Sequence, residues 1–114
     1  GEGAFDGCYS LRTISIPTGV TSIGNDTFRG CSGLTSVTIP NGVTSIGKEA
    51  FGWCRSLTSV SCLATTPPTL DMSGNYGVFY YTNNCPIYVP SGSVNTYKSA
   101  TGWSTYADRI QAIP

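Results

Sequence analysis

The chain has 114 residues, with six basic and six acidic side chains, no histidine, and 11% charged residues against about a quarter in an average soluble domain. Balanced charge without Lys/Arg clusters gives nothing to steer the protein to nucleic acid or to an anionic membrane, and the lack of histidine removes the commonest general base and metal ligand. No apolar run approaches the ~20 residues of a membrane-spanning helix.

Residues 1–62 repeat with a period of 23. Cys8, Cys31 and Cys54 mark the interval; Phe5, Phe28 and Phe51 stand three residues before them, and Leu11, Leu34 and Leu57 three residues after. A fixed period with fixed apolar slots predicts a stacked solenoid around a thin core. Gly1–Phe5 matches Gly47–Phe51, so the chain opens inside a repeat and reads as a piece of a longer protein.

Ser36-Val37-Thr38-Ile39 alternates polar and apolar residues, which predicts a strand with Val37 and Ile39 inward and Ser36 and Thr38 outward. The same pattern turns Ile14 and Ile16 inward with Thr13 and Ser15 outward, and Val60 and Cys62 inward with Ser59 and Ser61 outward. Pro17 and Pro40 end their strands because proline cannot donate to the ladder. Thr18-Gly19 and Asn41-Gly42 make turns, and Val20–Ile23 and Val43–Ile46 form a second extended side. Residues 25–28 and 48–51 then read as single helical or 3₁₀ turns, with an acid near the start where the backbone dipole favours one.

The period breaks after residue 62. Residues 64–68 read as an extended linker and 69–86 as a loop rich in Gly, Asn and Tyr. Ile87–Pro90 restores one strand, and Phe79 refills the phenylalanine slot; its distance to Pro90 is one residue shorter than in the repeats, which predicts a bulge. Two short helical patterns follow. Val94, Tyr97 and Thr101 form the first, with Ser91 or Ser93 as cap; Trp103, Tyr106 and Ile110 form the second, with Ser104 as cap. Residues 63–114 are thus expected to cap the open end of the 1–62 repeats, within one structural domain.

The cysteines at the repeat positions, and Cys62 in an isoleucine slot, read as buried free thiols. Cys85 has no partner in the ladder, and a disulfide from it to Cys54 or Cys62 is the alternative. Zinc spacing is absent, and a Ser or Thr nucleophile would need a base that no motif supplies, so no metal, cofactor or catalytic residue is expected. Two groups remain as candidate binding residues. One is the hydroxyl face of Thr13, Ser15, Ser36, Thr38, Ser59 and Ser61, whose plain reading is a solvated sheet. The other is Tyr76, Tyr80 and Tyr81, whose plain reading is packing over the end of the stack.

The phrase Gly42-Val43-Thr44-Ser45-Ile46-Gly47, followed from Ala50 to Val60 by A-F-x-x-C-x-x-L-T-S-V, resembles the BspA-type leucine-rich repeats. These belong to surface and secreted proteins, mainly of host-associated anaerobic bacteria and some parasitic protists. The tail phrases V-P-x-G-x-V-x-x-Y-K and G-W-x-x-Y-A-D-x-I are similar to the usual C-terminal end of such arrays. The resemblance implies a BspA-type leucine-rich-repeat solenoid, mainly β with short 3₁₀ or helical turns and a small helical C-terminal cap. It implies a non-enzymatic adhesion or binding module, at the cell surface or secreted, that meets a host or extracellular protein. No binding residue carries over from it. Two other functions stand beside this one: a glycan-binding module using the 71–84 loop, and a structural spacer and end-cap of a larger repeat protein.

Overall fold

Stretches that alternate a hydroxyl with an aliphatic side chain form strands in a computed structural model that describes residues 12–72, 77–82 and 84–113, Ser15 by its backbone alone. In chain order these are β1 (Thr13–Ser15), β2 (Ser22–Ile23), β3 (Ser36–Ile39), β4 (Ser45–Ile46), β5 (Ser59–Cys62), β6 (Thr69–Leu70) and β7 (Ile87–Val89). A 3₁₀ turn (Ser91–Ser93), helix α1 (Val94–Ser99), a 3₁₀ segment (Trp103–Arg109) and strand β8 (Ile110–Ala112) complete the chain.

The strands form two parallel sheets. One has five strands in the order β1-β3-β5-β7-β8, and the other has three in the order β2-β4-β6. Thr13 pairs with Ser36 and Ser36 with Ser59; Ser15 pairs with Thr38 and Thr38 with Ser61. The spacing of each pair is therefore the sequence period itself. Because side chains alternate along a strand, this register puts every repeat's aliphatic residues on one side. Val37, Ile39, Val60, Cys62, Ile87 and Val89 are all buried there.

The phenylalanine slot builds the middle of the core. Phe28 stacks on Phe51 with centroids 5.3 Å apart, and Phe51 on Phe79 at 5.6 Å. The column ends against Trp103 at 5.7 Å and the edge of Tyr106 at 5.4 Å. Tyr97 meets Trp103 edge-on at 4.9 Å. Cys31, Cys54, Cys62 and Cys85 are buried free thiols, so the described cysteines form no disulfide; Phe5, Cys8 and Leu11 lie outside the described residues.

Several local expectations are corrected. The 25–28 and 48–51 segments are turns, not helical, because Asp26 and Glu49 take left-handed backbone angles (φ 58° and 53°) that no right-handed turn contains. The backbone N–H of Lys48 instead donates to the Asn25 side chain at 2.8 Å. The second extended side is ladder-paired only over its last two residues in each repeat. Thr69–Leu70, expected in a loop, is a strand because Thr69 meets Ser45 and Leu70 meets Ile46 in the smaller sheet.

The tail differs too. The segment expected as a second helix is 3₁₀ with a kink at Tyr106, and Ile110 leaves it to start β8, where it pairs with Ile87. Neither Ser93 nor Ser104 caps through its side chain. The Ser93 hydroxyl donates to the Thr65 carbonyl at 2.9 Å, because the linker runs past α1 with carbonyls that need donors. Tyr97 O–H donates to the Ala64 carbonyl at 2.5 Å, and Trp103 Nε1–H to the Pro68 carbonyl at 2.8 Å. Three tail side chains therefore hold the linker in place.

The break in the period also has a structural solution. In the repeats Cys31 N–H donates to Phe28, Leu34 N–H to Cys31 and Leu57 N–H to Cys54. In the last turn Cys85 N–H donates to Thr82 in the same way. Cys85 thus fills the leucine slot and Thr82 the cysteine slot, so Cys85 does have a place in the ladder. The buried Thr82 hydroxyl donates to the Phe79 carbonyl at 2.8 Å and accepts from Arg109 at 2.6 Å.

Candidate functional site

The outward face of the larger sheet carries the expected hydroxyls. Thr13 and Thr38 are exposed, and Ser36, Ser59 and Ser61 are half-buried; Ser15 is placed there by its backbone pairing with Thr38. The structure lengthens this row beyond the repeats. Ser61 pairs with Tyr88, and Tyr88 with Gln111, so Ser15, Thr38, Ser61, Tyr88 and Gln111 line up across five strands. Tyr88 stands between the buried Ile87 and Val89, an alternation that could have marked it as outward but was not used. Gln111 has no such signal, because its strand was not expected.

Tyr80 and Tyr81 come together at a different place, on the turn that leads into the larger sheet; Tyr76 lies outside the described residues. Their rings are 4.5 Å apart, and both meet Trp53, at 5.4 Å and 4.8 Å. Arg55 lays its guanidinium over the Trp53 ring at 5.5 Å. Sequence reasoning missed Trp53 and Arg55. A signal existed for Trp53: two residues after the slot phenylalanine, the sequence reads Gly7, Gly30, Trp53 and Tyr81.

That slot has a backbone reason to be glycine. Gly30, Trp53 and Tyr81 all have positive φ, at 73°, 66° and 54°. Glycine adopts this region freely, whereas a residue with a Cβ there costs roughly 1–2 kcal/mol. The slot is forced by the ladder: Gly30 N–H donates to the Gly52 carbonyl at 2.8 Å and Trp53 N–H to the Tyr80 carbonyl at 2.7 Å. Two bulky aromatics therefore occupy consecutive turns in a conformation that disfavours them. Tyr81 also remains 57% exposed, so its ring is only partly engaged by the cluster.

Burial, with the neighbouring Cys31, pushes the Cys54 thiol up to about 12, and burial also raises Cys62 and Tyr97. Tyr106 is raised by burial, with the Phe79 N–H and Arg109 partly offsetting it. All four groups stay protonated and neutral at ordinary pH, which suits a core and not a reactive centre. Among the described residues, no three His, Cys, Asp or Glu side chains gather as a metal site requires. A recess of about 360 Å³ between the 41–44 corner and the linker is lined by Asn41, Val43, Thr44, Leu63 and neighbouring linker residues, none of them titratable. No helix among the described residues is long and apolar enough to cross a membrane.

A family model described as the BspA type leucine-rich repeat region, in six copies, matches residues 1–104. No curated protein matches the chain.

Proposed function

Because the chain belongs to the BspA-type leucine-rich repeat family, we propose that it is a non-enzymatic adhesion and binding module of the cell surface or secreted space, a solenoid that holds a host or extracellular protein through its stacked repeats. One observation carries this reading: the five-stranded sheet presents an in-register polar row on its outer face, from Ser15 through Thr38 and Ser61 to Tyr88 and Gln111. The contact face is Thr13, Ser15, Ser36, Thr38, Ser59 and Ser61, extended by Tyr88. Short hydroxyls on a rigid backbone make shallow hydrogen bonds with little side-chain entropy to lose. Each is weak, and linkage along the array adds them. Residues 63–114 serve as the end of the array, with Tyr97, Trp103 and Tyr106 covering the last apolar layer.

The test is surface plasmon resonance of the chain against a panel of purified extracellular-matrix proteins. At least one should bind, and Thr38→Arg and Ser61→Arg should each weaken it more than tenfold, while Lys98→Ala on α1 should not. Failure of the whole panel to bind, or indifference to both arginines, would sink the reading.

A further inference from the structure

We propose that the Trp53–Tyr80–Tyr81 cluster, with Arg55, is the anchor point of the interface, taking a protein partner that offers an apolar pocket rimmed by a carboxylate. The proposal rests on the binding-module reading and names the site where most of its energy lies. Three independent observations converge on it.

The first is chemical. Tyr88 apart, the hydroxyl face lacks the side chains that dominate protein interfaces, which are Trp, Tyr and Arg buried at the centre of a contact. Trp53, Tyr80, Tyr81 and Arg55 gather all three types within one patch.

The second is conformational. Trp53 and Tyr81 hold left-handed backbone positions where the preceding repeat has Gly30. A strained residue persists only when something compensates for it, and such residues cluster at ligand-binding sites. Contact among the three rings compensates in part, yet more than half of Tyr81 stays open to solvent. The left-handed turn points an exposed ring outward from a rigid ladder, a preorganised knob that loses little freedom on docking.

The third is charge. Glu49, on the preceding stretch of the same turn, is paired with Arg29 at 3.5 Å. Among the described residues no carboxylate pairs with Arg55, which is exposed and lies over the Trp53 face. A cation stacked on an aromatic ring presents its remaining N–H donors outward, in the fork that a carboxylate fits. The complement is an acidic side chain beside an aliphatic or aromatic pocket for Tyr81.

The experiment is selection of a displayed random peptide library on the immobilised chain, followed by affinity measurement of the selected synthetic peptides. Expected are peptides with Asp or Glu next to Leu, Ile or Phe, weakened roughly 30-fold or more by Tyr81→Gly and by Arg55→Ala. Tyr81→Gly should melt no lower than the parent chain and above Tyr81→Ala, which removes the ring but keeps the backbone cost. Peptides that ignore Tyr81→Gly and Arg55→Ala but are lost on Thr38→Arg would overturn the anchor and leave the binding-module reading standing. Selection of no peptide, with an oligosaccharide array giving Tyr81-dependent binding instead, would replace the protein partner by a glycan. No ligand in either screen would overturn both readings. A Tyr81→Gly variant that melts well below the parent chain would make the ring a structural staple and also overturn the proposal.

Discussion

Thr58 donates both its backbone N–H (2.8 Å) and its hydroxyl (2.9 Å) to the carbonyl of Thr35, 23 residues earlier. Thr35 does the same to Arg12, at 2.7 Å and 3.1 Å, and Thr44 to Thr21, at 2.7 Å and 3.1 Å. A carbonyl oxygen has two lone pairs, so one threonine satisfies both and ties each turn to the one before it. The repeated threonine is thus a fastener between turns and not only a strand-favouring residue. Thr58→Val should cost about 0.5–1.5 kcal/mol, since it keeps shape and β preference but loses the hydroxyl bond. Thr58→Ser should recover most of the loss. Urea midpoints at constant slope measure both; an unshifted midpoint for the valine variant would remove the fastener role.

The tail is tied to the linker by the indole of Trp103, which donates to the Pro68 carbonyl at 2.8 Å inside the core. Trp103→Phe keeps an aromatic against Phe79 but leaves that carbonyl without its donor. The expected loss is about 1–3 kcal/mol for the stranded acceptor, with a further cost for the smaller ring. At about 4–8 °C per kcal/mol for a domain near this size, the melting temperature should fall visibly. Near-parental melting of Trp103→Phe would show that packing alone holds the tail.

Cys54 gives a pH signature with a definite sign. Its thiol moves from an ordinary value of 9.0 to about 12 in the folded chain, mainly through burial. A raised value means that the unfolded thiol ionises first. The stabilisation is therefore complete below about pH 9 and is lost as pH rises from there toward about 12, by a few kcal/mol in order of magnitude. Guanidinium unfolding at pH 8, 9.5 and 11 should show this decline, and Cys54→Ala should make it shallower, the raised Cys62, Tyr97 and Tyr106 supplying the remainder. At pH 8 the folded Cys54 thiol should react with a disulfide reagent far more slowly than the unfolded chain. Rapid labelling of Cys54 in the folded protein would contradict the buried assignment.

At position 81 two small substitutions separate ring from backbone. Tyr81→Ala removes the ring contacts with Trp53 and Tyr80 and keeps a Cβ at φ 54°; Tyr81→Gly removes both. The glycine variant should be the more stable by about 1 kcal/mol, the usual cost of a side chain in the left-handed region. Differential scanning calorimetry of the pair is sufficient. Equal melting temperatures would mean that the turn relaxes out of the left-handed form once the tyrosine is gone.

Much of the fold was legible because the chain repeats. The inward positions Val37, Ile39, Val60 and Cys62, the phenylalanine column and the outward hydroxyls all follow from a period that matches the ladder register. Where the period failed, local pattern misled. Thr82 and Cys85 look unrelated to the cysteine and leucine slots until their backbone bonds align them. Ile110 sits at helical spacing from Trp103 and Tyr106, yet strand pairing with Ile87 outweighs a short 3₁₀ segment with few bonds of its own. Of the candidate site, the sequence singled out Tyr80 and Tyr81 but not the partners that collect them.

The sequence by itself determined the repeat, its register and which side chains face inward. These depend only on the two-residue alternation of a strand and on a constant offset between strands, and both can be counted along the chain. Only the tertiary structure decided that Trp53 meets Tyr80 and Tyr81, that Arg109 clamps the turn at Thr82, and that β8 extends the sheet. Those contacts join residues whose separations do not repeat, and their geometry comes from how one turn is laid over the next.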